Sequence, residues 1–130
     1  MSIFNAIGTA ASGVTVYRKY LDAVSDNIAN MDNVSKTSEN AFQARYVIAQ
    51  QAQDGNGAQV GGIAYGSAEG NLSYEPDHPM ADTEGYVRRP DIDLGGQMAQ
   101  MMMAQRAYQA NLAVVDRAKD SYTAAINLGK

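Results

Sequence analysis

Each end of the chain carries a heptad seam, and these two seams constrain the fold more than any other feature. Ile3, Ile7, Ala10, Val14, Tyr17, Leu21, Val24 and Ile28 follow spacings of 4, 3, 4, 3, 4, 3 and 4. A helix places such positions on one stripe, and a stripe kept up over several heptads packs lengthwise against another helix. Leu94, Met98, Met101, Gln105, Tyr108, Leu112, Val115, Lys119, Tyr122 and Ile126 keep the same rhythm, with two polar members. A polar residue in a seam lowers stability and fixes register.

The boundaries of the two helices can be read from their flanking residues. Ser2 is a suitable N-cap, and the turn-forming Asn27, Asn30, Asp32 and Asn33 end the first helix near Asn30. Residues 97–128 contain neither Gly nor Pro and are rich in strong helix formers. A helix of about 32 residues runs ~48 Å, and Gly129 stops it. Gly8 and Gly13 each cost the first helix about 1 kcal/mol relative to Ala. The stretch between them holds only Gly, Thr, Ala and Ser, so a partner backbone can approach closely.

The middle of the chain is different. Phe42, Ala44, Tyr46 and Ile48 alternate with Gln43, Arg45 and Val47, the pattern of a half-exposed strand. Gly55-Asn56-Gly57 is a turn, a second strand follows at about Gln59–Tyr65, and a short extended piece lies at Asn71–Tyr74. Pro76, Pro79 and Pro90 exclude helix from most of Glu75–Asp91. The expected fold is mainly α with a small β region. Long N- and C-terminal helices pack as a coiled-coil-like hairpin, with a short β-hairpin and an extended loop between them. Residues 1–35 and 91–130 are expected to form one discontinuous helical assembly domain, and 36–90 the β-hairpin and extended region.

Charge and composition exclude several functions. The net charge is −4, and its whole excess lies in residues 31–90, where four basic side chains face eight acidic ones. That is not the basic stripe that binds phosphate backbones, so no nucleic-acid partner is expected. The chain has no cysteine, which removes disulfides and thiolate metal sites. The first basic residue is Arg18 and no signal-like apolar core precedes a small-residue cleavage site, so no cleaved secretory signal is expected. There is no run of about 18 apolar residues to span a membrane.

No catalytic, cofactor or metal site is expected. His78, the only histidine, lies beside Pro79 and reads as a solvated or hydrogen-bonded loop residue. Asp91 and Asp93 precede a helix, where the macrodipole favours acids. The glycines from Gly55 to Gly70 do not match a phosphate loop or a dinucleotide fingerprint. Met98, Met101, Met102 and Met103 have no His or Cys beside them and read as an adaptable packing surface. No small-molecule substrate follows from any of these. Met102, Ala104, Ala107, Val114 and Ala118 widen the apolar face beyond the seam, more than one partner helix covers, which favours a protein that assembles.

The termini and the middle also carry a resemblance. Asn27-Ile28-Ala29-Asn30 closes the first helix, and Ala104 to Asn111 reads Ala-Gln-Arg-Ala-Tyr-Gln-Ala-Asn. Both are similar to motifs of the axial (rod and hook) proteins of the bacterial flagellum. Tyr74 to Asp82, Gly85-Tyr86-Val87 and Pro90-Asp91-Ile92-Asp93 resemble the middle of the family's short basal-body rod members. The chain departs from the family at Met31–Asn40 and Gly55–Gly70. The resemblance implies a structural subunit of a periplasm-spanning rod, built helically from copies of this chain and other rod proteins. It also implies delivery by the flagellar type III export apparatus, without a cleaved signal peptide. The assembly seam is Ile3, Ile7, Val14, Tyr17, Leu21, Val24 and Ile28 with Leu94, Met98, Met101, Tyr108, Leu112, Val115, Tyr122 and Ile126. Asn27, Ala29, Asn30, Gln105, Arg106, Tyr108 and Asn111 are the motif residues that the resemblance carries over. The alternatives are another flagellar or type III axial subunit, a soluble helical export adaptor, or a small enzyme using His78 and Asp77.

Overall fold

The computed structural model describes residues 3–129, with Ile3 described in its backbone only. The expected N-cap Ser2 and the side chain of Ile3 therefore lie outside the described residues. The order of elements is α1 (Ile3–Ala29), β1 (Arg45–Gln51), β2 (Ala58–Tyr65), β3 (Asn71–Tyr74), β4 (Tyr86–Arg89) and α2 (Leu94–Leu128). Helix α1 ends one residue before Asn30, and Asn30 Nδ2 donates to the carbonyl of Asp26 at 2.8 Å. Helix α2 starts three residues earlier than its Gly-free stretch. Asp93 caps it, with Oδ2 accepting from Gly96 N at 2.7 Å, and this offsets the weak helix propensity of Gly95 and Gly96.

The two helices lie antiparallel, as three contacts along their length show. Asn27 meets Gln97, Gly13 abuts Asn111, and Phe4 stands edge-on to Tyr122 with ring centroids 5.5 Å apart. A close approach falls at Gly13, the end of the small-residue stretch. A Cβ on Gly13 would stand 2.6 Å from Asn111 Oδ1, whereas one on Gly8 would meet nothing within 4 Å.

A single hairpin was expected in the middle, but there are two separate two-stranded antiparallel sheets, β1–β2 and β3–β4. Strand β4 lies within what reads as extended loop, because four residues ending in Arg88-Arg89 carry too short an alternation to stand out. The β1–β2 ladder shifts register between Ile48 and Ala49, and Gly61 is the extra residue. This hairpin lies along α1. Its base is held by Asn27, and near its tip Ala58 N donates to Ser12 Oγ at 3.0 Å. Val47 is the buried residue of β1, while Tyr46 and Ile48 stand exposed. The α1 helix thus takes the Val47 face, not the more apolar-looking face that includes Tyr46 and Ile48.

The β3–β4 sheet packs on the loop after α1. Ser35 and Arg88 exchange backbone hydrogen bonds at 2.9 Å, and Arg88 donates side-chain hydrogen bonds to the carbonyls of Thr37 and Glu69. Val87, in the middle of β4, is fully buried.

Candidate assembly surface of the helical hairpin

The face of α2 turned toward α1 comprises Gln97, Met101, Ala104, Tyr108, Asn111, Val115 and Ala118, all buried or half-buried. Three of the expected seam residues, Met101, Tyr108 and Val115, belong to it. Of the other expected positions, Met98, Leu112 and Ile126 lie one residue along and are exposed. Leu94 and Tyr122 keep the phase of the inner face near the ends of the helix and are still exposed, Tyr122 standing against Phe4. Ala104 and Ala118 line the contact, although they read as off the seam, and the polar Gln105 and Lys119 face solvent. On α1, Val24 is buried, while Ile7, Val14, Tyr17, Leu21 and Ile28 are half-buried.

The motif residues are divided between core and surface. Asn27 is completely buried, and its side chain ties three elements together. Nδ2 donates to Gln97 Oε1 at 3.0 Å and to the carbonyl of Arg45 at 2.9 Å, and Oδ1 accepts from Arg45 N at 2.8 Å. The amide thus pairs with Arg45 as a neighbouring strand would, and its second donated bond reaches α2. Each of these groups would be costly to bury unpaired. Asn111 donates to the carbonyl of Ala107 at 2.8 Å and fills the space left by Gly13. Tyr108 is half-buried, Asn30 caps the end of α1, and Ala29, Gln105 and Arg106 are exposed. Gln97 was not singled out from the sequence. Shifting the heptad phase one residue earlier places it on the seam.

Two apolar flanks border the covered face of α2. Leu94, Met98, Met102 and Leu112 lie on one side, and Met103 and Val114 on the other, with exposures from 39% at Leu112 to 71% at Met103. Helix α1 is different: among its described residues Phe4 is the one exposed large apolar side chain. Its second face lies under the β1–β2 hairpin, where an open groove of about 410 Å³ includes Lys19, Asp22, Val60 and Ile63.

Polar contacts brace the segment before α2. The Arg89 guanidinium donates to both oxygens of Glu75, at 2.7 and 3.1 Å, and holds that carboxyl down to about 2. Asp82 is also held below the usual carboxylate range, chiefly by Tyr86 N, with Thr37 and Glu84 N adding to the effect. His78 Nδ1 accepts from Met80 N at 3.1 Å. Among the described residues no three His, Cys, Asp or Glu side chains are grouped to hold a metal, and no helix is long and apolar enough to cross a membrane.

Known proteins resemble this chain in sequence. The family described as "Flagellar basal body rod FlgEFG protein C-terminal" matches residues 83–128, which span β4 and α2. The whole chain is 32% identical to the flagellar basal-body rod protein FlgC of Salmonella typhimurium, with both chains covered completely. It is 29% identical to that of Bacillus subtilis, again over both full chains. It is 31% identical to that of Aquifex aeolicus over 94% of this chain and 93% of the relative. A helical hairpin carrying small sheets, matched in this way, defines a structural protein of the bacterial flagellum. The chain belongs to the family of the flagellar basal-body rod protein FlgC.

Proposed function

We propose that this chain is a structural subunit of the flagellar basal-body rod and polymerises through the flanks of its helical hairpin. The observation that carries this reading is the double apolar flank on α2, beside a face that α1 already covers. Large exposed apolar surfaces on a helix otherwise packed within its own chain suit burial against neighbouring subunits. The neighbours are copies of this chain and other rod proteins, consistent with the rod proteins that it resembles across its full length. The helical pair forms the assembling body, and residues 36–90 decorate and brace it. The subunit reaches the rod through the flagellar type III export apparatus as an unfolded chain, and the absence of cysteine suits threading. No catalytic step is assigned to it. The one histidine uses its Nδ1 to brace a turn, accepting from Met80 N.

The test is Leu112→Asp. Leu112 is exposed in the single chain, so the carboxylate leaves folding intact and export unimpaired. In the rod it meets a partner surface, where an unpaired charge costs several kcal/mol. Cells carrying Leu112→Asp are expected to secrete the subunit and fail to swim. Normal swimming by the Leu112→Asp strain would rule the flank out as the assembly surface.

A further inference from the structure

We infer that the open face of α1 binds the outer face of α2 from a second copy of this chain, with Lys19 against Asp120 and Asp22 against Arg117. This rests on the rod reading and specifies one contact within it. All four side chains are exposed, and among the described residues none of them is in an ion pair within the chain. On α1 the basic residue precedes the acid by three positions, and on α2 Arg117 precedes Asp120 by three. Two antiparallel helices align such pairs with opposite charges facing; parallel helices would bring like charges together. Because α1 and α2 are antiparallel within one copy, this pairing keeps both copies pointing the same way. Such a head-to-tail contact propagates as an open polymer, whereas a two-fold contact would close as a dimer.

The same alignment matches the rest of both faces. Extending it by helical steps of four places Thr15 opposite Ala124 and Ala11 opposite Leu128, and all four are exposed. Leu128, 89% exposed, has the least cover of the large apolar residues and meets a small side chain in this register. Within one copy Asn27 is level with Gln97 and Gly13 with Asn111. Against that scale the neighbour is displaced along the helix axis by about 15 residues, or ~22 Å. Surface ion pairs add little affinity, but like-charge contacts penalise wrong registers, so the charges fix stagger and direction while the apolar contacts supply the binding energy.

Charge reversal and cross-linking test the inference. Asp22→Lys and Arg117→Glu are each expected to lower rod incorporation by about tenfold or more, because each creates a like-charge contact. The double variant is expected to restore motility to near the unmodified level. If neither single variant loses motility, or if the double stays as impaired as the singles, the pairing is overturned. Asp22→Cys with Arg117→Cys on one chain supplies the second measurement, as the chain has no other cysteine. The two sites stand too far apart along the hairpin to close within one copy. Oxidised basal bodies are expected to yield a ladder of multiples of this chain. A mixed adduct with a different rod protein, or monomer alone from basal bodies that contain the chain, would overturn the inference and leave the rod reading standing. Absence of the chain from basal bodies would defeat the rod reading itself.

Discussion

Asn27 donates from Nδ2 to Gln97 Oε1 at 3.0 Å, which fastens the end of the first helix to the start of the last across a separation of 70 residues. The same amide pairs with the backbone of Arg45 on both its N–H and its C=O. One buried side chain therefore sets the register of α1, α2 and β1 relative to one another. An apolar residue of the same volume could fill the space but could not choose among registers.

Replacing Asn27 by Ala should destabilise the chain by about 1–3 kcal/mol, because it leaves Arg45 N and Gln97 buried without partners. Chemical denaturation of the purified subunit measures this through the shift of the midpoint. Combining Asn27→Ala with Gln97→Ala should cost less than the sum of the two, by about 0.5–3 kcal/mol. Strict additivity would show that the hydrogen bond carries no coupling.

The two glycines of α1 should respond in opposite directions. Gly8→Ala adds a methyl group into open space in a helix and should stabilise by about 0.5–1 kcal/mol. Gly13→Ala gains the same propensity but pushes on Asn111, so it should stabilise less or destabilise. Gly13→Val, with more bulk against α2, should destabilise clearly. Thermal unfolding of the three variants at one concentration would establish the order.

Acid should loosen the β3–β4 region before the helical hairpin. Glu75 has a folded pKa lowered from 4.5 to about 2, and Asp82 is lowered too, so both contribute stability above their unfolded values. That contribution is lost as pH falls through the folded values, the window for Glu75 being about 4.5 down to 2. Amide exchange between Asn71 and Arg89 should accelerate across this window while that around Asn27 and Gln97 stays slow. Glu75→Gln should flatten the part of the response that belongs to Glu75. A response unchanged in this variant would place the acid sensitivity elsewhere.

Protection from amide exchange in dilute subunit should fall along the hairpin. It should be highest around Asn27 and Gln97, where helices, strand and polar network meet. It should be lowest beyond Lys119, where every described residue of α2 is exposed. Isolated helical ends are marginal in water, and rod assembly should protect them. Uniform protection to Leu128 in the monomer would mean that the last turns need no neighbour.

Much of the architecture is legible from residue order. The heptads place both helices, and the Asn-rich turn marks the end of the first to within one residue of Ala29, whereas the second begins three residues before its Gly-free stretch, at Leu94, where Asp93 caps it. Gly55-Asn56-Gly57 marks the first hairpin's turn, and Gly55 and Gly57 both adopt positive φ there. The resemblance in Asn27 to Asn30 and Ala104 to Asn111 points to the flagellar rod. Strand β4 is not legible, because its pairing partners Asn71–Tyr74 and Ser35 lie far away along the chain and it has only four residues of its own.

Periodicity determined that both ends are helices and that each has a face to bury, because a 3.5-residue repeat of apolar side chains can be satisfied in no other way. Which face of α2 turns inward was decided only by the tertiary structure. The apolar sector of α2 is wide enough for two phases, one through Met98 and Leu112 and one through Ala104 and Ala118, both sharing Leu94, Met101, Tyr108, Val115 and Tyr122. The partner surface selects between them. Gly13 lets α1 come close where α2 presents Asn111, and Asn27 needs Gln97 opposite. The bulkier Met98 and Leu112 are thereby turned to the flank, where a neighbouring subunit can bury them.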